Sequence, residues 1–148
     1  MRVDIFFDGA CSNLADTPSM GIGVALWVNK VRQPRYDISE GLEEGTSNIA
    51  EYRALIAALE LAKKLHDEDE RCRIYVFGDS QLIIKQANRE WVCNAAHLRP
   101  YLDKVRVLLE RRFIHYLGWV PREENKEADI LSKIGLVKAY SRLAKQEK

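Results

Sequence analysis

The stretch that decides the fold runs Thr46-Ser47-Asn48-Ile49-Ala50-Glu51-Tyr52-Arg53-Ala54-Leu55-Ile56, continues through Leu59, Leu61 and Leu65 to His66, turns at Asp67–Glu70, and ends in Cys72-Arg73-Ile74-Tyr75-Val76-Phe77-Gly78-Asp79. Thr46-Ser47-Asn48 is a helix-start signal, and Glu51 stands three residues after Asn48 as in a capping box. The apolar residues Ile49, Tyr52, Leu55, Ile56, Leu59, Leu61, Ala62 and Leu65 cover more than one stripe. A helix with that pattern, ending near His66, is buried on two sides. The acidic turn ends it, and Cys72–Phe77 reads as a strand. Residues 2–8 form an earlier apolar strand that stops at Asp8-Gly9. Strand, long helix and strand make a crossover, and a crossover implies parallel pairing.

Outward from that unit the chain is regular. Ala10–Ser19 holds Cys, Ser, Asn, Asp, Thr and Pro and reads as a loop. Met20–Asn29 and Tyr36–Leu42 read as strands, and the short connections predict an antiparallel meander. Downstream come a helix over Ser80–Asn88, a helix from Pro100 to Arg112, a strand over Phe113–Val120, a loop over Pro121–Glu124, and a helix over Asn125–Ile134 capped by Gly135. The expected fold is α/β: a five-stranded mixed sheet, three antiparallel strands then two parallel, flanked by helices in the order β-β-β-α-β-α-α-β-α. Residues 1–135 form the expected domain. Residues 136–148 are a basic C-terminal tail, helical or flexible.

Composition narrows the function classes. The chain has 148 residues, is 47% hydrophobic and 30% charged, and carries a net charge of +1. That suits one soluble domain with a proper core, and excludes a bulk polycation. Any contact with nucleic acid must be local. No apolar stretch reaches membrane-spanning length, and acids interrupt the N-terminal apolar run, so the expected location is the cytoplasm, with no membrane partner. Cys11, Cys72 and Cys93 lack metal-ligand spacing and read as reduced thiols. Lys138, Arg142, Lys145 and Lys148 face only Glu147 in the tail, which suits either a phosphate backbone or a solvated helix end.

Four carboxylates stand where the chain otherwise turns apolar. Asp8 and Asp79 end the two parallel strands, Glu51 lies in the first turns of the long helix, and Asp129 near the start of the last one. Ligand crevices in such sheets open beyond the carboxyl ends of the parallel strands. Taken singly, each acid has a plain structural role: Glu51 as a cap, Asp79 and Asp129 as partners of helix dipoles, Asp8 as a turn residue. Taken together, acids without matching bases point to a hard divalent cation.

Four stretches resemble type 1 ribonuclease H, in that family's order and element contexts: Phe7-Asp-Gly-Ala-Cys11, Thr46-Ser-Asn-Ile-Ala-Glu-Tyr-Arg-Ala-Leu55, Gly78-Asp-Ser-Gln-Leu-Ile83 and Pro121-Arg-Glu-Glu-Asn-Lys-Glu-Ala-Asp-Ile-Leu-Ser132. The resemblance implies an endoribonuclease that hydrolyses the RNA strand of RNA–DNA hybrids with two divalent ions, leaving 5′-phosphate and 3′-hydroxyl ends. It makes Asp8, Glu51, Asp79 and Asp129 the catalytic and metal-binding acids, with Mg²⁺ as the ion and Mn²⁺ as its substitute; a monomer is the default expectation, since nothing in the chain argues for an assembly. Substrate contacts are expected from Gly9, Ala10 and Cys11 through main-chain groups. Asn48 and Gln81 would touch base edges or sugars, Thr46 and Ser47 a phosphate, and Trp91 a sugar of the DNA strand. Arg122 would position phosphate or water. Asn125 would cap its helix or orient Asp129 or the substrate. Other readings are a binding module with this fold and little catalysis, or a related nuclease with a broader range that includes double-stranded RNA.

The chain departs from the family pattern twice. No histidine lies between Trp119 and Asp129, where many members carry one in a mobile loop, and Arg122 cannot act as a base in its place. Residues 88–99 supply only Arg89 and Arg99 in place of a Lys/Arg-rich extra helix. Both traits resemble the shorter-loop, archaeal-like branch; the first bears on turnover, and the second predicts weak, salt-sensitive substrate binding unless the basic tail compensates.

Overall fold

The crossover forms in parallel. The computed structural model describes residues 1–12, 19–43 and 45–146, apart from the side chains of residues 143, 144 and 146. Strand β1 (Arg2–Ser12) pairs in parallel with β5 (Arg73–Gly78), from Arg2 opposite Arg73 to Phe7 opposite Gly78. Helix α1 (Ser47–Glu68) connects them. Asp8 and Asp79 therefore both follow the last parallel pair, at one end of adjacent strands.

Strand β2 (Ser19–Val28) runs antiparallel to β1 over its whole length, from Val3 opposite Val28 to Ser12 opposite Ser19. Ala10–Ser12, expected in a loop, thus belong to β1. Ladder bonds along a long partner strand outweigh the weak strand preference of those residues. Ser19 of that expected loop opens β2, and residues 13–18 lie outside the described residues. Asn29 and Lys30 both take positive φ (48° and 68°), the geometry of a two-residue hairpin turn that matches strand twist. That turn returns the chain as a two-residue strand, β3 (Val31–Arg32), so the sheet gains a sixth strand among the described residues. Strand β4 (Ile38–Glu43) also pairs with β2, and β6 (Tyr116–Trp119) pairs in parallel with β5. β6 is shorter than the Phe113–Val120 run. Phe113 turns into the core instead, and the link to β5 starts at His115, whose N–H donates to Ile74 O at 2.8 Å.

One face of the sheet is covered by α1, with α2 (Gln81–Ala87) and α3 (Arg99–Glu110) beside it. Val3, Ile5 and Phe7 of β1 meet Tyr52, Leu55 and Leu59 of α1 in a fully buried core joined by Ile74, Val76, Ile83 and Leu102. Each such side chain contributes about 1.5–3 kcal/mol through burial. The other face carries α4 (Lys126–Gln146), packed on β2, β4 and part of β1.

Helix α4 overturns the expected end at Gly135. The helix passes through this glycine and continues to Gln146. A Cβ at Gly135 would lie 2.3 Å from the carbonyl oxygen of Glu40. Gly21 and Gly23 of β2 are as tightly covered, with Ser132 O and Ala128 O at 2.0 and 2.2 Å from where a Cβ would stand. Missing side chains let helix and sheet backbones meet, which offsets the helix-weakening effect of glycine. Beyond Gly135, Lys138 Nζ donates to Ser39 O at 2.9 Å, and the Arg142 guanidinium donates to Gly41 O. Lys148 of the tail is outside the described residues. The three cysteines are unpaired, and no described helix is long and apolar enough to cross a membrane.

Candidate active site

The site grows from one close approach. At Gly9, just after Asp8, a Cβ would lie 2.4 Å from the Ala50 carbonyl carbon and 2.5 Å from the Glu51 nitrogen. The missing side chain lets the first turns of α1 rest on β1 and brings Glu51 to Asp8. The capping-box reading of Glu51 is not what forms. The N-cap is Thr46, whose Oγ1 accepts from Ile49 N–H at 3.3 Å. Glu51 sits two residues further on and is free to face the strand ends. Carboxylate oxygens of Asp8, Glu51 and Asp79 lie within 4.8 Å of one another.

These acids are strongly perturbed. Asp8 is only 5% exposed. Burial, first of all, raises its pKa to about 7, and the charges of Asp79 and Asp129 add to the rise, while hydrogen bonding with Glu51 opposes it. Glu51 is raised further, by burial and then by the charge of Asp8. Both shifts favour the protonated form of the acids in the metal-free site. Gly9 N–H donates to Asp8 Oδ1 at 3.0 Å.

Further residues hold the acids in place. Asn125 is buried, and its Nδ2 donates both to Phe7 O (2.9 Å) and to Asp79 Oδ2 (3.1 Å). Its side chain ties the two strand ends together and does not cap α4. Trp119, absent from the sequence reading, donates its indole N–H to Asp79 O at 3.0 Å. Asp129 lies close enough to Asp8 to raise its pKa, and pairs with Lys133 at 3.1 Å one helical turn on. The i, i+4 spacing of that pair is legible in sequence. No local pattern announces the Trp119 contact, which depends on β6 lying beside β5.

The expected substrate contacts ring these acids unevenly. Thr46 and Ser47 are exposed at the start of α1, and Asn48 is half-buried beside them. Ala10 and Cys11 continue β1, with Cys11 Sγ donating to Gly45 O at 3.1 Å. Gln81 is exposed at the start of α2, two residues after Asp79, and Arg122 is exposed in the 3₁₀ turn Arg122–Glu124. Trp91 lies beyond the end of α2, 44% exposed, with Lys85 Nζ 5.0 Å above its ring. No described contact joins it to the carboxylates.

The residues present fit a divalent cation. The donors are all carboxylate oxygens, the set that hard cations prefer. Glu51 Oε2 and Asn125 Oδ1 are buried there without a hydrogen-bond partner. Burial, and after it mutual repulsion, drives Asp8 and Glu51 toward protonation, and a bound dication would offset both.

The comparisons agree with this geometry. Residues 6–135 match the family model described as reverse transcriptase-like. A ribonuclease HI of Halobacterium salinarum is 36% identical over 91% of this chain and 64% of its own length. A ribonuclease HI of Haemophilus ducreyi is 31% identical over 90% of this chain and 89% of its own. A solved structure of LC11-RNase H1 in complex with an RNA/DNA hybrid superposes with a TM-score of 0.80 at 28% identity, covering 93% of this chain and 99% of that one. Some curated relatives are considerably longer: the chain spans 57% of one from Bacillus subtilis. The ordered motifs, the shared fold and near-complete coverage of the Haemophilus enzyme lead to one assignment: this chain belongs to the type 1 ribonuclease H family.

Proposed function

We propose that this chain hydrolyses the RNA strand of RNA–DNA hybrids with two Mg²⁺ ions, Mn²⁺ serving as substitute, and leaves 5′-phosphate and 3′-hydroxyl ends. The observation that carries this reading is the convergence of Asp8, Glu51 and Asp79, from two strands and a helix, within 4.8 Å. Asp129 joins them as the fourth acid, at the start of α4. A divalent pair bound there supplies positive charge to the attacking and departing oxygens of a phosphodiester.

The chain's own part is to prepare that place. The rigid strand ends hold Asp8 and Asp79 side by side. Glu51 enters from α1 through the gap at Gly9, and Asn125 and Trp119 keep Asp79 from turning away. Main-chain groups of Gly9, Ala10 and Cys11 and the side chains of Asn48 and Gln81 take the hybrid's minor groove and the 2′-hydroxyl that marks RNA. Thr46 and Ser47 offer the N-terminus of α1 to a phosphate. Arg122 positions phosphate, and Trp91 stacks on the DNA strand. All four acids come from one copy, which suits a monomer, and the free thiols suit the reducing cytoplasm.

Cleavage of matched hybrid, double-stranded RNA and double-stranded DNA, in Mg²⁺ and in EDTA, tests the proposal. Hybrid cleavage that needs the metal is expected. Tight hybrid binding without cleavage in any divalent ion would replace the enzyme by a binding module. Equal cleavage of double-stranded RNA would widen the substrate class.

A further inference from the structure

We infer that the buried hydrogen bond between Tyr52 and Gln86 is a tether that sets the spacing of Glu51 and Asp79, which makes both residues positioning residues for the carboxylate cluster. The inference rests on reading that cluster as a metal site. Tyr52 follows Glu51 directly in α1, is fully buried, and donates its hydroxyl to Gln86 Oε1 at 2.5 Å. Gln86 is 4% exposed and lies in α2, whose N-cap, Ser80, immediately follows Asp79. The bond therefore joins the helix that carries Glu51 to the helix that continues from Asp79.

Helix α2 needs such an anchor. It has seven residues, too few to persist without tertiary support. Its apolar anchors Ile83, Ile84 and Ala87 hold it against the core, yet apolar contact is non-directional and permits sliding. A hydrogen bond fixes axial position. Sliding by one residue would shift α2 by about 1.5 Å, a distance on the scale at which misplaced groups cost catalysis. Gln86 is also held from the third side, because Arg106 Nη2 of α3 donates to its main-chain oxygen at 3.3 Å. Phe and Leu would fill these two positions without any polar group to satisfy. A hydrogen-bonded polar pair in their place specifies one arrangement of the helices.

The test is calorimetric Mg²⁺ binding by the full chain as wild type, Tyr52→Phe, and the double variant Tyr52→Phe/Gln86→Leu, each with its thermal midpoint and hybrid-cleavage kinetics. Tyr52→Phe strands a buried acceptor and is expected to lower the midpoint. The double variant removes that acceptor and is expected to recover most of the midpoint, yet to bind Mg²⁺ about ten-fold more weakly, as loss of a supporting shell does. Its kcat should fall while KM holds. If Mg²⁺ affinity returns together with stability, the pair serves packing alone and the inference is overturned. Unchanged Mg²⁺ affinity in Tyr52→Phe overturns it as well. If Tyr52→Phe does not fold, the double variant alone decides. A wild type that takes up no Mg²⁺ would overturn the metal reading itself, a separate result.

Discussion

The two ends of α4 are built on opposite principles. At its start, Asn125 and Asp129 adjoin Asp8, Glu51 and Asp79, where acids gather and, among the described residues, only Asp129 meets a cation, Lys133, with Glu51 Oε2 buried and unpartnered. Toward its end, Lys138 and Arg142 meet the carbonyls of Ser39 and Gly41, and Gly135 lets the helix lie on the backbone of β4. Both of these cations have a partner inside the protein, while the buried Tyr140 hydroxyl on the same stretch has none. One helix thus carries a region whose electrostatics await something from outside and a region that is closed on itself. Local rules of satisfaction tend to fail at functional sites and to hold elsewhere.

The most severe way to break the comparison is at the acidic end. Asp8→Asn and Asp79→Asn should lower hybrid cleavage by about three orders of magnitude, roughly 4 kcal/mol of lost transition-state stabilisation. Metal-free Asp8→Asn should melt no lower than wild type, because one repelling charge is gone. Full activity in either variant would sink the assignment. The next effect belongs to the closed region. Gly41→Val would place its Cβ near 2.3 Å from Gly135 O, and should destabilise the protein by about 3 kcal/mol in urea melts, with or without metal. A variant as stable as wild type would show that α4 is not held by that close approach.

A smaller effect follows from protonation. Asp8 and Glu51 have folded pKa values raised above their ordinary ones, chiefly by burial. Raised acids bind more protons folded than unfolded, so their contribution is complete below the ordinary carboxylate range and is lost as pH rises. Metal-free protein should therefore lose about 2 kcal/mol between pH 4 and pH 7, the upper limit being where Asp8 titrates. Mg²⁺ should restore more stability at pH 8 than at pH 5. Thermal midpoints across that range, with EDTA and with Mg²⁺, read the effect directly. A flat profile in EDTA would mean that burial does not raise these acids.

What the sequence disclosed divides along the same line. The parallel unit and the four acids were legible because their signals are local: an apolar run ending in Asp, a helix start, a long apolar helix. What was not legible depends on backbones meeting. Gly135 reads as a cap until β4 is known to lie beneath it. Gly9 reads as a turn or substrate-facing residue until α1 is seen resting on it. Thr46, not Asn48, caps α1, a two-residue difference that frees Glu51 for the site. The Asn29-Lys30 turn was missed because neither residue is glycine, though both take positive φ. Trp119 and the Tyr52–Gln86 pair act through contacts far apart in sequence, which no spacing rule announces.

The smallest expected effect bears on the basic half of α4. Its cations suit a phosphate backbone or a solvated helix end when read from sequence, whereas two of them bond to carbonyls of β4, a strand paired on one side only among the described residues. Such an edge is a site for unwanted pairing, and cations along it block that approach. Lys138→Met with Arg142→Met should cost about 0.5 kcal/mol for each lost bond and raise the dimer fraction in sedimentation. Hybrid affinity should keep its salt dependence. If these cations instead contact phosphate, the slope of log affinity against log salt would fall by about one for each contact removed, and stability would barely change. The two measurements move in opposite directions under the two readings, so one double variant decides whether this end of the helix is closed on the protein or open to the substrate.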